Sequence, residues 1–270
     1  MKQRYKFPFG QDLKKVQQNN RNPKKAFVLG VYASAVHAKW FDNNGKTKVQ
    51  AMAVDSEPEI FWTGENAKKI IDKIKIPNEL GKLEVPKNNN LNGPSGRVLD
   101  NLYLKPLNLN RNNSWLCDLI PYSRVNKKQK KAIEKHYTIE LIEKFNLNFP
   151  TIPDFDRKEL NSDKRRLEIL NELIHSSAKT ILLLGDEPIR YFLKYFTNNK
   201  FKKLSDFGDS FDKYGKAHKL KINDKDYEVI PLCHPRQAGR LGNSSSKWGQ
   251  LHDNWIKEKN KIIKHTHSTC

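Results

Sequence analysis

Three sets of polar residues stand at or near the ends of apolar runs, and their types define the chemistry open to the chain. Tyr32-Ala33-Ser34-Ala35-Val36-His37 follows the run from Ala26 to Val31. Asp118 lies in the run from Ser114 to Pro121, and His234-Pro235-Arg236-Gln237 follows the run from Tyr227 to Leu232. A histidine at a strand end can donate to an oxygen that gains negative charge as a bond breaks; it can equally be a structural residue in a Pro turn. An ionised aspartate offers acceptors only, so Asp118 could read a donor group, act as a catalytic carboxylate, or cap the following turn. Glu57, in the Pro-flanked loop from Asp55 to Gly64, is either a second working carboxylate or a surface side chain.

Such residues act together only if the elements before them are rigid. Ala26 to Val31, Ser114 to Pro121, Thr180 to Gly185 and Tyr227 to Leu232 are short, apolar and rich in Leu, Ile and Val, which suits strands buried on both faces of a parallel sheet. Helical periodicity is expected over 64–75, 95–105, 127–144, 157–177, 187–197 and 247–263. The alternation predicts a three-layer α/β/α sandwich with a central, mainly parallel four-stranded sheet, to which 49–54 could add an edge strand. Ligands of such sheets bind outside the carboxyl ends of the strands, where the three polar sets fall. The working assumption is a single domain over 1–270, with its core at about 25–255.

The 270 residues carry a formal charge of +20, which implies an acidic partner, although a Lys- and Asn-rich composition also arises in AT-rich genomes without functional meaning. Cys117, Cys233 and Cys270 are far apart and fit neither a disulfide framework nor a clustered metal site, so reduced thiols and no iron-sulfur cluster are expected. No apolar run reaches membrane-spanning length, and a soluble, cytoplasmic protein is expected. A Walker-type loop, a metal-binding His pair and a Ser-His-Asp order are all missing, and no metal or cofactor is expected.

The order of these fragments resembles the uracil-DNA glycosylase superfamily. In that family a first motif follows the first strand, a pocket loop comes next (Asp55-Ser56-Glu57-Pro58-Glu59-Ile60-Phe61-Trp62-Thr63-Gly64), and Asn92-Gly93-Pro94-Ser95-Gly96-Arg97 matches the opening of a helix. Cys117-Asp118-Leu119-Ile120-Pro121 resembles the strand whose Asn reads the flipped base, and His234-Pro235 resembles the family's last motif. The likeness covers about 25 to 255. It implies a monofunctional DNA N-glycosylase that flips a base and hydrolyses its glycosidic bond, acting as a monomer on double-stranded DNA. Catalytic roles then fall on His234, Glu57 and Asp118, and the base pocket on Tyr32, Ser34, His37, Trp62 and Asp118; Tyr32, Ser34 and His37 would line the loop after the first strand, where His37 can equally be a satisfied, partly buried histidine. Trp62 can stack on the base or belong to the core.

Two departures bear on substrate. Gly30 is followed by Val31-Tyr32-Ala33-Ser34 with no carboxylate in the water-activating position, for which Glu57 could substitute. Aspartate stands where the family has Asn, and an acceptor-only edge favours an amino-bearing base such as a modified cytosine, for instance a glucosylated hydroxymethylcytosine of phage DNA, over uracil. The biological role would then be antiviral defence instead of repair. DNA contacts are expected from Ser95, Arg97, Arg236, Gln237, Arg240 and Lys247, with Leu241 either a wedge in the base stack or packed inward; Ser95 could equally be a helix N-cap. The rival readings are a module that holds a flipped or damaged base without cleaving it, and a hydrolase of free nucleotides.

Overall fold

A computed structural model of the protein describes residues 5–88, 90–241 and 246–267, with side chains to residue 261. In chain order the strands are β1 (Ala26–Tyr32), β2 (Ala35–Phe41), β3 (Thr47–Ser56), β4 (Lys82–Glu84), β5 (Ser114–Ile120), β6 (Thr180–Leu184), β7 (His218–Ile222) and β8 (Lys225–Leu232). The α-helices are α1 (Ala67–Ile71), α2 (Pro94–Val98), α3 (Lys127–His136), α4 (Ile139–Lys144), α5 (Asp163–Ser176), α6 (Asp186–Tyr191), α7 (Pro235–Ala238) and α8 (Ser246–His267). They form two compact units. The first takes Met1–Val16, Tyr32–Pro94 and Pro121–Arg157; the second takes Gln17–Val31, Ser95–Ile120 and Lys158–Cys270. Each unit is assembled from three stretches of chain, so no single linker marks the division.

The second unit is α/β. Its sheet has the order β5-β1-β6-β8-β7, an arrangement consistent with a three-layer α/β/α sandwich. The pairs β1–β6 and β6–β8 are parallel, through registers such as Leu29 with Leu183 and Leu182 with Ile230. A hydrogen bond from Lys25 N–H to Asn113 O, at 2.8 Å, aligns the start of β1 with that of β5. The four apolar runs are these four strands, and β5 is buried along its whole length because both of its faces are covered.

The sheet has five strands instead of four. β7 pairs antiparallel with β8 across a two-residue turn, Asn223-Asp224, whose positive φ values of 49° and 60° are those a tight hairpin requires. Its exposed Lys219 and Lys221 blunt the open edge of the sheet. Behind β5, α5 supplies Glu172, which accepts from the Trp115 indole at 3.1 Å. No described helix is long and apolar enough to cross a membrane.

The first unit holds a separate antiparallel sheet of order β3-β2-β4. The expectation of an edge strand at 49–54 on the parallel sheet is therefore corrected: those residues lie in β3, paired with β2. Trp40, Val36, Met52 and Val54 form its core with Phe9 and Tyr137, whose rings meet edge to face at 5.2 Å. Helix 127–144 is also corrected to two helices, because the Thr138 hydroxyl caps the second by accepting from Leu141 N–H. Likewise 157–177 becomes a 3-10 turn followed by α5, which starts behind the Ser162 cap.

Candidate functional site

β1 lies between β5 and β6. The chain leaves β1 toward one neighbour and crosses back to the other, which makes the carboxyl ends of β1 and β6 a topological switch point, where open α/β sheets bind ligands. Asp118, near the end of β5, stands on one flank of that point, and His234, just past the end of β8, stands on the other. Three strand spacings separate β5 from β8, about 14 Å. A cavity of about 420 Å³ lined by Asp100, Lys105, Asn110 and Arg111 lies at the other end of the sheet, before β5 begins, and its Arg111 and Asp100 are paired at 2.9 Å.

His234 is the N-cap of α7. Its Nδ1 accepts from Arg236 N–H at 3.1 Å, while Gln237 Oε1 accepts from His234 N–H at 3.1 Å. Pro235 at the first helical position has no N–H to satisfy, so the local sequence Cys-His-Pro-Arg-Gln closes its own helix start. An Nδ1 that accepts cannot carry the proton of a neutral ring, which must sit on Nε2. Burial, with the Arg236 charge adding to it, lowers the His234 pKa to about 4. At neutral pH the ring is therefore an uncharged Nε2–H donor. Gly185, at the end of β6, has φ +94° and donates to Leu232 O at 2.8 Å; a Cβ there would lie 3.2 Å from His234 Cβ, so the side-chain-free position lets the two strand ends approach.

A buried network fixes the backbone just before His234. The Tyr103 hydroxyl donates to Cys233 O at 2.8 Å, and Cys233 N–H donates to Tyr214 Oη at 2.9 Å. His252 Nε2 lies 2.9 Å from Leu102 O, which can only accept. Nε2 thus donates, and Nδ1 accepts the Tyr214 hydroxyl at 2.8 Å. Burial lowers His252 to about 4, which keeps the relay neutral. Tyr214→Phe leaves both Cys233 N–H and His252 Nδ1 without that partner, and a loss of roughly 2–4 kcal/mol is expected in urea unfolding. A loss below about 0.5 kcal/mol would show that water replaces the hydroxyl freely.

On the opposite flank, Arg165 of α5 holds three consecutive residues of β5. It donates to Cys117 Sγ at 3.2 Å, to Asp118 O at 2.7 Å and to Leu119 O at 3.3 Å, and pairs with Glu172 at 3.0 Å. Cys117 thus faces α5, and strand alternation turns the Asp118 side chain to the other face. Asp118 is 3 % exposed. Burial raises its pKa to about 7, with Arg165 opposing and Glu172 adding. Near neutral pH both forms are therefore populated: the ionised carboxylate offers acceptors only, and the protonated carboxyl presents one donor and one acceptor. Cys117 and Cys233 are free buried thiols, raised by burial; Cys270 lies outside the described residues.

The other expected base-pocket residues belong to the first unit. Tyr32 is exposed and stacks on Phe155 with centroids 4.9 Å apart. Ser34 N–H donates to Glu57 Oε2 at 3.1 Å, and Ser34 O accepts the Ser123 hydroxyl. Glu57 is 6 % exposed, which removes the surface reading of that residue. His37 lies in β2 and not in a loop. Its backbone is paired by the Asn92 amide at 2.8 and 2.9 Å, its Nε2 is 2.7 Å from Gln129, and burial lowers its pKa to about 4. Trp62 packs in the core at 2 % exposure and donates to Glu65 O at 2.9 Å, so the stacking expectation gives way to the core one.

Among the expected DNA contacts, α2 begins at Pro94, so Ser95 sits inside the helix instead of capping it. Arg97 is half-buried one turn along. Arg236 Nε donates to Leu241 O at 3.0 Å, and Leu241 is half-buried. Gln237 is occupied by its capping bond. Arg240 and Lys247 pair with Asp253 and Asp209, each at 2.5 Å, in exposed ion pairs that polyanion phosphates can displace at small cost. The loop residues Gly242 to Ser245 lie outside the described residues.

Sequence reasoning missed Gly185, Tyr103, Tyr214, His252 and Arg165. Only Gly185, closing an apolar run, carried a local signal. Among the described residues no three His, Cys, Asp or Glu side chains are placed to hold a metal ion. No protein-family model matches the sequence, and no curated protein matches it.

Proposed function

We propose that the protein is a monofunctional DNA glycosylase of the uracil-DNA-glycosylase kind. The observation that carries this reading is His234: a neutral imidazole whose Nδ1 is occupied, leaving Nε2–H as a donor at a strand end beside the switch point. Cleavage of a nucleobase from its sugar leaves negative charge on the base, and a preorganised neutral donor stabilises that charge without first giving up a proton. The basic charge of the chain suits a DNA partner.

Asp118 reads the base edge. Its raised pKa lets it act as an amide does for a keto edge such as that of uracil, while its ionised form suits an amino-bearing cytosine derivative. Repair of uracil and defence against modified phage genomes both fit this chemistry, and the substrate decides between them. The test incubates the protein with duplexes carrying uracil, hydroxymethylcytosine or its glucosylated form, together with free nucleotides, and scores abasic sites and released base. Abasic sites in one duplex support the reading. Tight binding with no release on any duplex replaces it by a base-holding module, and turnover of free nucleotides alone by a nucleotide hydrolase.

A further inference from the structure

Phe211 is 58 % exposed, among the large apolar side chains most open to water in the second unit. It sits in the segment between a 3-10 turn at Leu204–Phe207 and β7, and that segment is tied down on both sides of it. Two residues earlier, Asp209 pairs with Lys247 in the first turn of α8. Three residues later, Tyr214 is 2 % exposed and bonded to Cys233 N–H, the residue before His234. Between these anchors Ser210 O accepts from Lys213 N–H and Tyr214 N–H at 3.2 and 3.0 Å, closing a turn that presents Phe211 outward. An exposed ring on a fixed turn is held out at the end of the sheet that carries His234. Its charged neighbours in sequence are Asp209, already neutralised by Lys247, Asp212, which accepts the Ser210 hydroxyl, and the exposed Lys213 and Lys216.

We propose that Phe211 is a stacking contact for DNA, packing its ring on a nucleobase face next to the base drawn toward His234. This rests on the DNA-directed reading of the same strand ends, but it concerns binding and does not depend on bond cleavage. The occupant is a nucleobase because the ring projects from a basic protein of net charge +20, with the exposed Lys213 and Lys216 following it in the same segment. Aromatic rings flanked by cations are the recurring platform for unstacked bases, which have a π-face whatever their sequence. A fixed turn also orders the ring before the DNA arrives, which lowers the entropy lost on binding.

The test uses the full chain and a duplex with 2-aminopurine beside a uracil, titrated with wild type, Phe211→Ala, Phe211→Trp and Leu167→Ala, the last a similarly exposed apolar side chain of α5. Unfolding midpoints serve to confirm that each variant is folded. Phe211→Ala is expected to weaken binding roughly ten-fold and to lose the change in 2-aminopurine emission, whereas Phe211→Trp restores both. Leu167→Ala should keep both signals. If no protein releases a base but the Phe211-dependent signals remain, the stacking site stands and the glycosylase reading fails. Equal affinity and equal emission for Phe211→Ala and wild type overturn the stacking site, as does a wild-type protein that binds no duplex.

Discussion

His234→Ala is expected to slow base release on the order of 10²–10³-fold in single-turnover assays while DNA affinity changes little. The asymmetry follows from where the ring acts. Nδ1 is already engaged with Arg236 N–H, so only Nε2–H is free to meet a ligand, and the charge it stabilises develops only as the glycosidic bond breaks. Removing the cap also loosens the four-residue α7, at a cost of about 1 kcal/mol, which a small shift in the urea midpoint would report separately from the rate. With a pKa near 4, His234 stays neutral through the physiological range, so its contribution to the rate is flat from about pH 5 upward. A rate within five-fold of wild type would remove His234 from the chemistry.

The second large effect concerns stability and is independent of any substrate. Asp118 ionises near 7 in the folded chain, against 3.8 for an ordinary aspartate. The folded state therefore holds its proton more tightly than the unfolded state does. The contribution of Asp118 to stability is fully present below about pH 4, falls as pH rises toward 7, and is lost above it. The full difference corresponds to at most about 4 kcal/mol. An Asp118→Asn variant cannot ionise, so at pH 8 it should be more stable than wild type by up to that amount, and the two should converge near pH 4.

The histidines lowered to about 4, His37, His234 and His252, act in the opposite sense. They withhold protons in the folded state, so stability is lost as pH falls from about 6.5 toward 4. They are common to both proteins, and the difference between the two unfolding curves isolates Asp118. A difference that does not change with pH would mean the carboxyl is already charged when folded. The same titration should reach function: on a keto-edged base the wild-type rate falls above pH 7 while Asp118→Asn holds its rate.

The parallel strands β1, β5, β6 and β8 were legible because a strand buried on both faces must be an unbroken apolar run, and each run ends in a polar residue or a glycine. Asp118 and His234 were found for that reason. β7 was not, because three of its five residues are His or Lys and its half-exposed edge needs no apolar run; only Asn223-Asp224 betrays the hairpin. β2 escaped because bulges at Val36/His37 and Ala38/Trp40 break the two-residue period that would have announced it, which also moved His37 from an expected loop into a strand.

The supports behind the strand ends were illegible for another reason. Tyr103, Tyr214 and His252 come from three distant stretches, and Arg165 from a fourth, and each meets the sheet only after folding. No spacing in the sequence encodes those contacts. The raised pKa of Asp118 belongs to the same class, since an aspartate in a sequence reads as ionised until its burial is known.

The protonation of one ring can be observed directly. Nitrogen-15 spectra of the ring of His234, assigned by comparison with His234→Gln, should show a bare Nδ1 and a protonated Nε2 in a neutral imidazole from pH 8 down to about pH 5. An imidazolium near pH 7, or the proton on Nδ1, would leave no fixed neutral donor at the end of β8, and the proposed chemistry would have nothing to stabilise the leaving base.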